Sequence, residues 1–244
     1  MSMSQIFGNF PEISGTMGAV AIFASLAWLF YRFYRKRNMT PTLVAETWAY
    51  YALSDLYFGF DTDEEEFRDQ ALFHEIMGLE KFLKSLLLLL EGDQYRHLDN
   101  QNAKKKVNSI AKALGHNIKD MVQKISEQTG KENIEKIRMT DFDGYSGEDL
   151  IKAIESGYME TRYPVPKPIS DSFPVPDTTY TTDPLGSSGI TKCVYCLCNF
   201  CFLELMKRID VQDLLRDFKK SYGHRESFRR FNNLFWEAQC RVAI

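Results

Sequence analysis

The sequence predicts an all-α protein, in which a helical bundle follows a single N-terminal transmembrane helix. Beyond residue 38, apolar residues recur at intervals of three and four, as they do on one face of a helix. An alternating apolar and polar pattern, which would indicate strands, is missing from the sequence. Near the start, residues 13–31 run without a charged residue. We therefore divide the chain into an N-terminal segment, 1–38, and a helical domain, 39–244.

The uncharged run 13–31 has the length of a membrane anchor. As a helix it would be about 28 Å long, close to the hydrocarbon thickness of a bilayer. Basic residues follow it in Arg32–Arg37, whereas a cleaved signal peptide carries its positive charges before the apolar run. The positive-inside rule then places residues 32–244 in the cytoplasm, as in a single-pass membrane protein. The alternative is a buried core helix, which is also apolar on every face.

Charge and cysteine content narrow the possible functions of the cytoplasmic part. The formal net charge is −3, so no overall positive field steers the protein toward nucleic acid. Contact with RNA would need a local basic surface, such as residues 104–106 or 225–230. The chain has five cysteines, an odd number that does not suggest the paired disulfides of a small disulfide-linked domain. This favours a reducing compartment.

The first two helices of the domain have clear sequence signals. Thr40 is placed to cap a helix whose first residue is Pro41. The acidic run 61–66 then precedes a second helix, because acidic residues favour helix N-termini. Its apolar stripe consists of Leu72, Ile76, Leu79, Leu83, Leu86 and Leu90. We expect this stripe to form one wall of the bundle and to support self-association, with Glu75, Lys81 and Lys84 mostly off it.

The remaining pattern predicts further helices and one long loop. A third helix carries a stripe that passes through Gly115 and His116, consisting of Val107, Ile110, Leu114, Ile118 and Val122. Residues 127–133 end it, and a fourth helix covers about 146–163. The Pro-rich stretch 164–184 predicts an extended loop, which could bind a partner protein. A fifth helix is expected from about Ile190 to Phe218, and a last basic helix starts near Glu226.

Three of these segments, taken in order, resemble the HEPN domain family over about residues 42–215. The stretch "ALFHEIMGLEKFLKSLLLL" is similar to the family's second helix and carries Glu80, Lys81 and Lys84. The stretch "KALGHNIKDM" is similar to the next helix, with matches at His116, Asn117 and Ile118. The stretch "GYMETRYP" resembles a late helix, with matches at Tyr158, Arg162, Tyr163 and Pro164.

The resemblance implies an up-and-down helical bundle that usually dimerises. HEPN proteins act as RNases in toxin–antitoxin and antiviral systems, as partners of nucleotidyltransferases, or as modules that bind a nucleotide or RNA without catalysis. We therefore expect a membrane-anchored module that binds a nucleotide, RNA or a protein partner. The alternative is a metal-independent endoribonuclease of a toxin or antiviral system. Within this family pattern, Glu80 and Lys81 are interpreted as an exposed structural pair.

His116 is the best-placed candidate for a site by this resemblance. Metal-independent RNA cleavage needs an acid or base with a pKa near neutrality and a cation beside the phosphate. On a continuous helix, Lys112 would share a face with His116, and Arg162 is a further candidate cation. Asn117 and Tyr163 complete the expected ligand-binding set. The alternatives are a helix-interior histidine that bonds a neighbouring helix, and an arginine that favours a helix C-terminus.

Two other motifs are weaker candidates. Arg68, Asp69 and His74 match the Arg-polar-His spacing of catalytic HEPN proteins, a match expected by chance in a chain of this length. Six residues on a helix also place Arg68 and His74 about 240° apart. The cluster "CVYCLCNFC" contains Cys193, Cys196, Cys198 and Cys201, which on a helix point in directions too different to bind one metal ion. We expect no metal and no cofactor.

Overall fold

The computed structural model describes residues 40–62, 68–91, 111–113, 115–162 and 187–240, with backbone alone at 68–69, 156–162 and 238–240. The described part is almost entirely helical, which confirms the all-α class. The expected anchor at 13–31, the Pro-rich loop at 164–184 and the basic residues 104–106 lie outside the described residues.

The elements follow one another along the described chain as helices with one small hairpin between them. The helices are α1 (Pro41–Asp61), α2 (Arg68–Leu90), α3 (Ile118–Thr129), α4 (Lys131–Met139), α5 (Gly147–Arg162), α6 (Ser188–Met206), α7 (Gln212–Tyr222) and α8 (Glu226–Cys240), with strands β1 (Asp141–Phe142) and β2 (Tyr145–Ser146) between α4 and α5. The N-cap prediction at Thr40 is confirmed, because its side-chain oxygen accepts a hydrogen bond from the Leu43 N–H at 3.2 Å.

Helices α1 and α2 form a closely packed antiparallel pair. The Ser85 hydroxyl donates to the carbonyl of Ala45 at 2.7 Å near one end of the pair, and Lys81 bonds Asp55 further along. Small side chains permit the close approach: a Cβ added at Gly78 would lie 2.9 Å from Leu56 Cγ. Because the two helices pack this closely at Gly78, a larger residue would not fit at that position.

The predicted leucine stripe of α2 is buried inside the bundle. Five of its members are at most 6% exposed, namely Leu72, Ile76, Leu79, Leu83 and Leu86, and α2 packs chiefly against α1 and α6. The expectation that this stripe supports self-association is therefore wrong, because its partners are other helices of the same chain. Glu75, Glu80 and Lys84 are also buried, so the predicted exposure of Glu80 is wrong as well.

Helices α2, α3 and α6 run in the same direction. Glu80 contacts His116 just before α3 begins, and Glu91 contacts Gln128 where α3 ends, so α2 and α3 are parallel. Thr191 bonds Glu75 near the start of α6, and the Phe82 and Phe202 rings meet further along, 5.9 Å apart between centroids. The expected up-and-down order stays a prediction, because residues 92–110 between α2 and α3 lie outside the described part of the chain.

The third helix begins later than its apolar stripe predicts. Gly115 has a φ of +76°, in the left-handed region that glycine adopts without strain, and the Asn117 side chain caps a helix that begins at Ile118. His116 therefore lies in a short link rather than inside a helix. The predicted end of the helix is confirmed, because Gly130 at φ +97° separates Thr129 from the next helix.

The hairpin between α4 and α5 was not predicted and ties this region to α6. Asp143, at its tip, accepts hydrogen bonds from Lys192 Nζ at 2.5 and 2.6 Å. The backbones also approach closely, because a Cβ added at Gly189 would lie 2.2 Å from the carbonyl oxygen of Phe142. Strands of two residues each carry too little pattern to be read from sequence.

The single helix expected from Ile190 to Phe218 is two helices. Helix α6 ends at Met206, and α7 begins at Gln212, where the Asp210 carboxylate accepts a hydrogen bond from the Gln212 N–H at 2.9 Å. By length and composition α6 is the one described helix that could cross a membrane. However, 72% of its apolar window is buried in the bundle, as in the core helix of a soluble domain.

Candidate functional site

His116 lies at the surface, beside the middle of α2. The link Gly115–Asn117 holds it there, between a helical turn at residues 111–113 and the start of α3. Its side chain is 61% exposed, yet its Nδ1 atom lies 2.8 Å from Glu80 Oε1. An exposed imidazole is thus anchored on its inner side by a carboxylate from a neighbouring helix.

The carboxylate behind His116 belongs to a buried ion pair. Glu80 and Lys84 are four residues apart on α2, and Lys84 Nζ lies 2.6 Å from Glu80 Oε1. Their side chains are only 6% and 7% exposed. Burial of two charges is tolerated when they pair and form hydrogen bonds, so each of the two needs the other to remain in the core.

The contact geometry determines which nitrogen of neutral His116 carries the proton. A carboxylate oxygen only accepts hydrogen bonds, so Nδ1 at 2.8 Å from Glu80 Oε1 must be the donor. Lys84 Nζ lies 3.4 Å from the same nitrogen and donates to Glu80 as well. Nε2 of the neutral ring is then the acceptor nitrogen. A carboxylate that fixes the tautomer in this way also occurs behind catalytic and ligand-binding histidines.

The second oxygen of Glu80 differs from the first in its hydrogen bonding. Oε2 is buried, and no group in the described part of the chain donates to it. Oε1, by contrast, receives donors from both Lys84 and His116. Leaving a buried charged acceptor unsatisfied costs about 1–3 kcal/mol or more. The site therefore combines an exposed ring with a buried acceptor atom to which no described residue donates.

Asn117 and Lys112, which were also expected in this site, both take part in the turn and cap around His116. The Asn117 side-chain oxygen accepts from the Asp120 N–H at 2.8 Å, so it serves as a helix cap, and its expected ligand role stays a prediction. The Lys112 carbonyl accepts from the Gly115 N–H at 3.1 Å in a turn. Because the helix is broken at this turn, the shared face expected for Lys112 and His116 does not exist.

Helix α5 passes close to the start of α3. The Glu155 carboxylate accepts a hydrogen bond from the Lys119 N–H at 3.3 Å. Arg162 is the last residue of α5, and its side chain lies outside the described residues, as does the whole of Tyr163. Their predicted roles as cation and ligand contact stay predictions.

His74 is placed away from this cluster. Its Nδ1 lies 4.0 Å from Asp55 Oδ1, and its side chain is 40% exposed. Lys81 bonds the same Asp55 carboxylate, and the His74 ring lies beside Phe58. Arg68 is six residues earlier on the same helix, so the helical rotation of about 240° disfavours a shared site.

The four clustered cysteines are core residues of α6. Cys193, Cys196, Cys198 and Cys201 are at most 3% exposed. Burial raises the pKa of the Cys193, Cys198 and Cys201 thiols, which suppresses thiolate formation and hence metal binding. Within the described ranges, no group of three or more His, Cys, Asp and Glu side chains is arranged to hold a metal ion.

Comparisons of the chain with protein-family models, with curated proteins and with solved structures give no match. The resemblance to HEPN domains therefore stays a prediction from the three sequence segments described above.

Proposed function

We propose that the chain is a membrane-anchored HEPN-like module that binds a nucleotide or RNA at the bundle surface around His116. The observation that carries this proposal is the exposed His116 ring, held at Nδ1 by the buried Glu80 carboxylate. A ring fixed in this way offers a flat face on which a base can stack, and such stacking contributes about 1–3 kcal/mol per base. The proposal includes a cytoplasmic location for this surface, because the basic residues 32–37 follow the uncharged run 13–31.

Binding is favoured over RNA cleavage because of the position of the cations. Cleavage needs a cation that contacts the phosphate beside the histidine. Among the described side chains, the cation that contacts His116 is Lys84, which is 7% exposed and bound to Glu80. Near His74, Lys81 is bound to Asp55. The RNase alternative keeps one favourable feature, since a carboxylate-oriented imidazole is also what a general base requires.

We predict that the detergent-solubilised full-length protein binds single-stranded RNA without cleaving it. His116→Ala should weaken binding about 5- to 100-fold, the loss expected for one stacked base. His224→Ala is the matched control, because His224 is an exposed histidine before α8 and should leave the affinity unchanged. Fluorescence anisotropy measures binding, and gel electrophoresis after incubation in EDTA measures cleavage.

Two results would contradict this prediction. Cleavage that His116→Ala abolishes would identify an endoribonuclease with His116 as its acid or base. Absence of binding to RNA and to nucleotides would leave the module without the proposed ligand.

We also propose that the domain forms a homodimer through an exposed face of α1. Tyr51 and Phe58 are 55% and 39% exposed and lie seven residues apart, so they share one face of the helix. The double variant Tyr51→Ser/Phe58→Ser should convert residues 39–244 from dimer to monomer, as measured by light scattering. Met139→Ser is the control, because Met139 is 79% exposed on α4. Wild-type domain that is monomeric at tens of micromolar would contradict the proposal.

A further inference from the structure

We propose that Glu80 Oε2 and the His116 ring together recognise the amino edge of a nucleobase. The proposal rests on the function proposed above and specifies which chemical group of the ligand is read. It starts from an imbalance within a single carboxylate: Oε1 receives donors from Lys84 and His116, whereas the buried Oε2 has none among the described residues. A ligand that brings an N–H to Oε2 completes the hydrogen bonding of this group.

The charges around Oε2 select an uncharged donor. Lys84 and Glu80 cancel each other at 2.6 Å, so the cluster with neutral His116 carries no net charge. An anionic group such as phosphate would meet the carboxylate oxygen directly and be repelled. A cationic group would leave the buried cluster with a net positive charge, because Lys84 already balances the charge of Glu80. The phosphates of a bound nucleotide must therefore lie away from Glu80.

The His116 ring selects a flat ligand. It is 61% exposed, so one of its surfaces can lie against another planar ring. Adenine, cytosine and guanine combine a flat ring with an uncharged amino group that donates hydrogen bonds. Hypoxanthine and uracil carry a carbonyl oxygen where adenine and cytosine carry the amino group. Two acceptors would then face each other at Oε2, and a site built to accept a hydrogen bond discriminates strongly against such analogues.

Access to Oε2 requires a side chain to move, because this oxygen is buried. The proposal assigns that movement to His116, whose ring contacts the other oxygen of the same carboxylate and whose side chain is 61% exposed, since exposed side chains change rotamer within nanoseconds. The preceding Gly115, at φ +76°, leaves the link without a Cβ at that position. A modest tilt of the ring can therefore admit an amino group while the ring stays beside the base.

The experiment compares nucleosides that differ in this one group, using full-length protein in detergent and isothermal titration. We expect adenosine to bind at least tenfold more tightly than inosine, and cytidine more tightly than uridine. Inorganic phosphate should not compete with adenosine. His116→Phe, which keeps a flat ring, should retain the preference for amino groups, and His224→Ala should change nothing.

Glu80→Gln is the most informative variant, because the neighbouring hydrogen-bond donors determine the orientation of its side-chain amide. Lys84 and His116 both donate to the Oε1 position, so the amide oxygen must occupy that position and the amide nitrogen must replace Oε2. The variant then presents a donor instead of an acceptor. We expect its preference to reverse, so that inosine binds more tightly than adenosine. Circular dichroism checks that the variant is folded. The comparison of adenosine with inosine on the wild-type protein tests the proposal even if the variant does not fold.

The possible results separate this inference from the function on which it rests. Equal affinities for adenosine and inosine, together with RNA binding that depends on His116, would overturn the inference and leave the proposed function standing. Preference for amino nucleosides that Glu80→Gln leaves unchanged would also overturn it. Absence of binding to nucleosides, nucleotides and RNA would overturn both.

Discussion

Replacing Glu80 with Ala is expected to lower the free energy of unfolding by about 3–5 kcal/mol, the cost of leaving the partner of a buried ion pair uncompensated. Lys84, at 7% exposed, would remain in the core with its ammonium group facing the position that the carboxylate occupied. His116 would also lose the acceptor of its Nδ1 hydrogen bond. Urea denaturation of residues 39–244, followed by circular dichroism, measures the change.

Two controls test whether the loss comes from the unpaired charge. The double variant Glu80→Leu/Lys84→Leu removes both charges and should recover most of the stability, because apolar replacement of a buried ion pair is often neutral. Asp213→Ala breaks a pair with Arg216 in which both side chains are at least 65% exposed, and should cost less than about 1 kcal/mol. A loss below about 1 kcal/mol for Glu80→Ala would show that Lys84 reaches water by extending its aliphatic chain.

The first two helices could be predicted from sequence because their signals are local. Thr40 and Pro41 mark the start of α1, and the prediction agrees with the observed helix. The leucine spacing of α2 predicts its buried face correctly. Both features depend on residues within a few turns of one another, which is the range over which helix capping and hydrophobic periodicity act.

The burial of Glu80 and Lys84 was missed because their compensation is partly non-local. Ile76, Glu80, Lys84 and Leu88 form one row at intervals of four, and all are buried. A charged residue in such a row is normally assigned to the surface. The spacing of four does allow an ion pair, but the third partner, His116, lies 36 residues away in sequence. That contact is created by the tertiary structure.

The environment of His116 was misjudged for a different reason. Leu114 and Ile118 have helical spacing, so the periodicity runs through the link that breaks the helix. The sequence also contains a local signal for a helix that starts after residue 117. Gly115 precedes the capping residue Asn117, and Asp120 is the third residue after that cap. In this segment the capping signal, and not the apolar spacing, determines where the helix begins. The relative directions of α2 and α3 could not be predicted, because a connection as long as residues 91–117 allows either one.

Deleting residues 1–38 is expected to move the protein from the membrane fraction to the soluble fraction. As a helix, the uncharged run 13–31 would be about 28 Å long, enough to span a bilayer. In the described part of the chain, α6 alone has comparable length and apolarity, and it is mostly buried. Its polar residues Asn199 and Glu204 are buried too, and Asn199 donates to the Phe235 carbonyl of α8. Helix α6 is thus mostly buried by its packing in the bundle.

Point variants can separate anchoring from folding more sharply than the deletion. Ala24→Arg and Ala27→Arg each place a charge inside the apolar run, at an insertion cost of about 2.5–3.5 kcal/mol per arginine, and together they should also release the protein. Thr47→Arg, on the exposed side of α1, adds a charge without affecting an anchor and should leave the protein membrane-bound. Alkaline carbonate extraction followed by immunoblotting measures the partition.

Two outcomes of the deletion would contradict the anchor. If the deleted form aggregates and loses its cooperative thermal transition, residues 13–31 are a core helix. If it remains folded and membrane-bound, the lipid contact lies within residues 39–244.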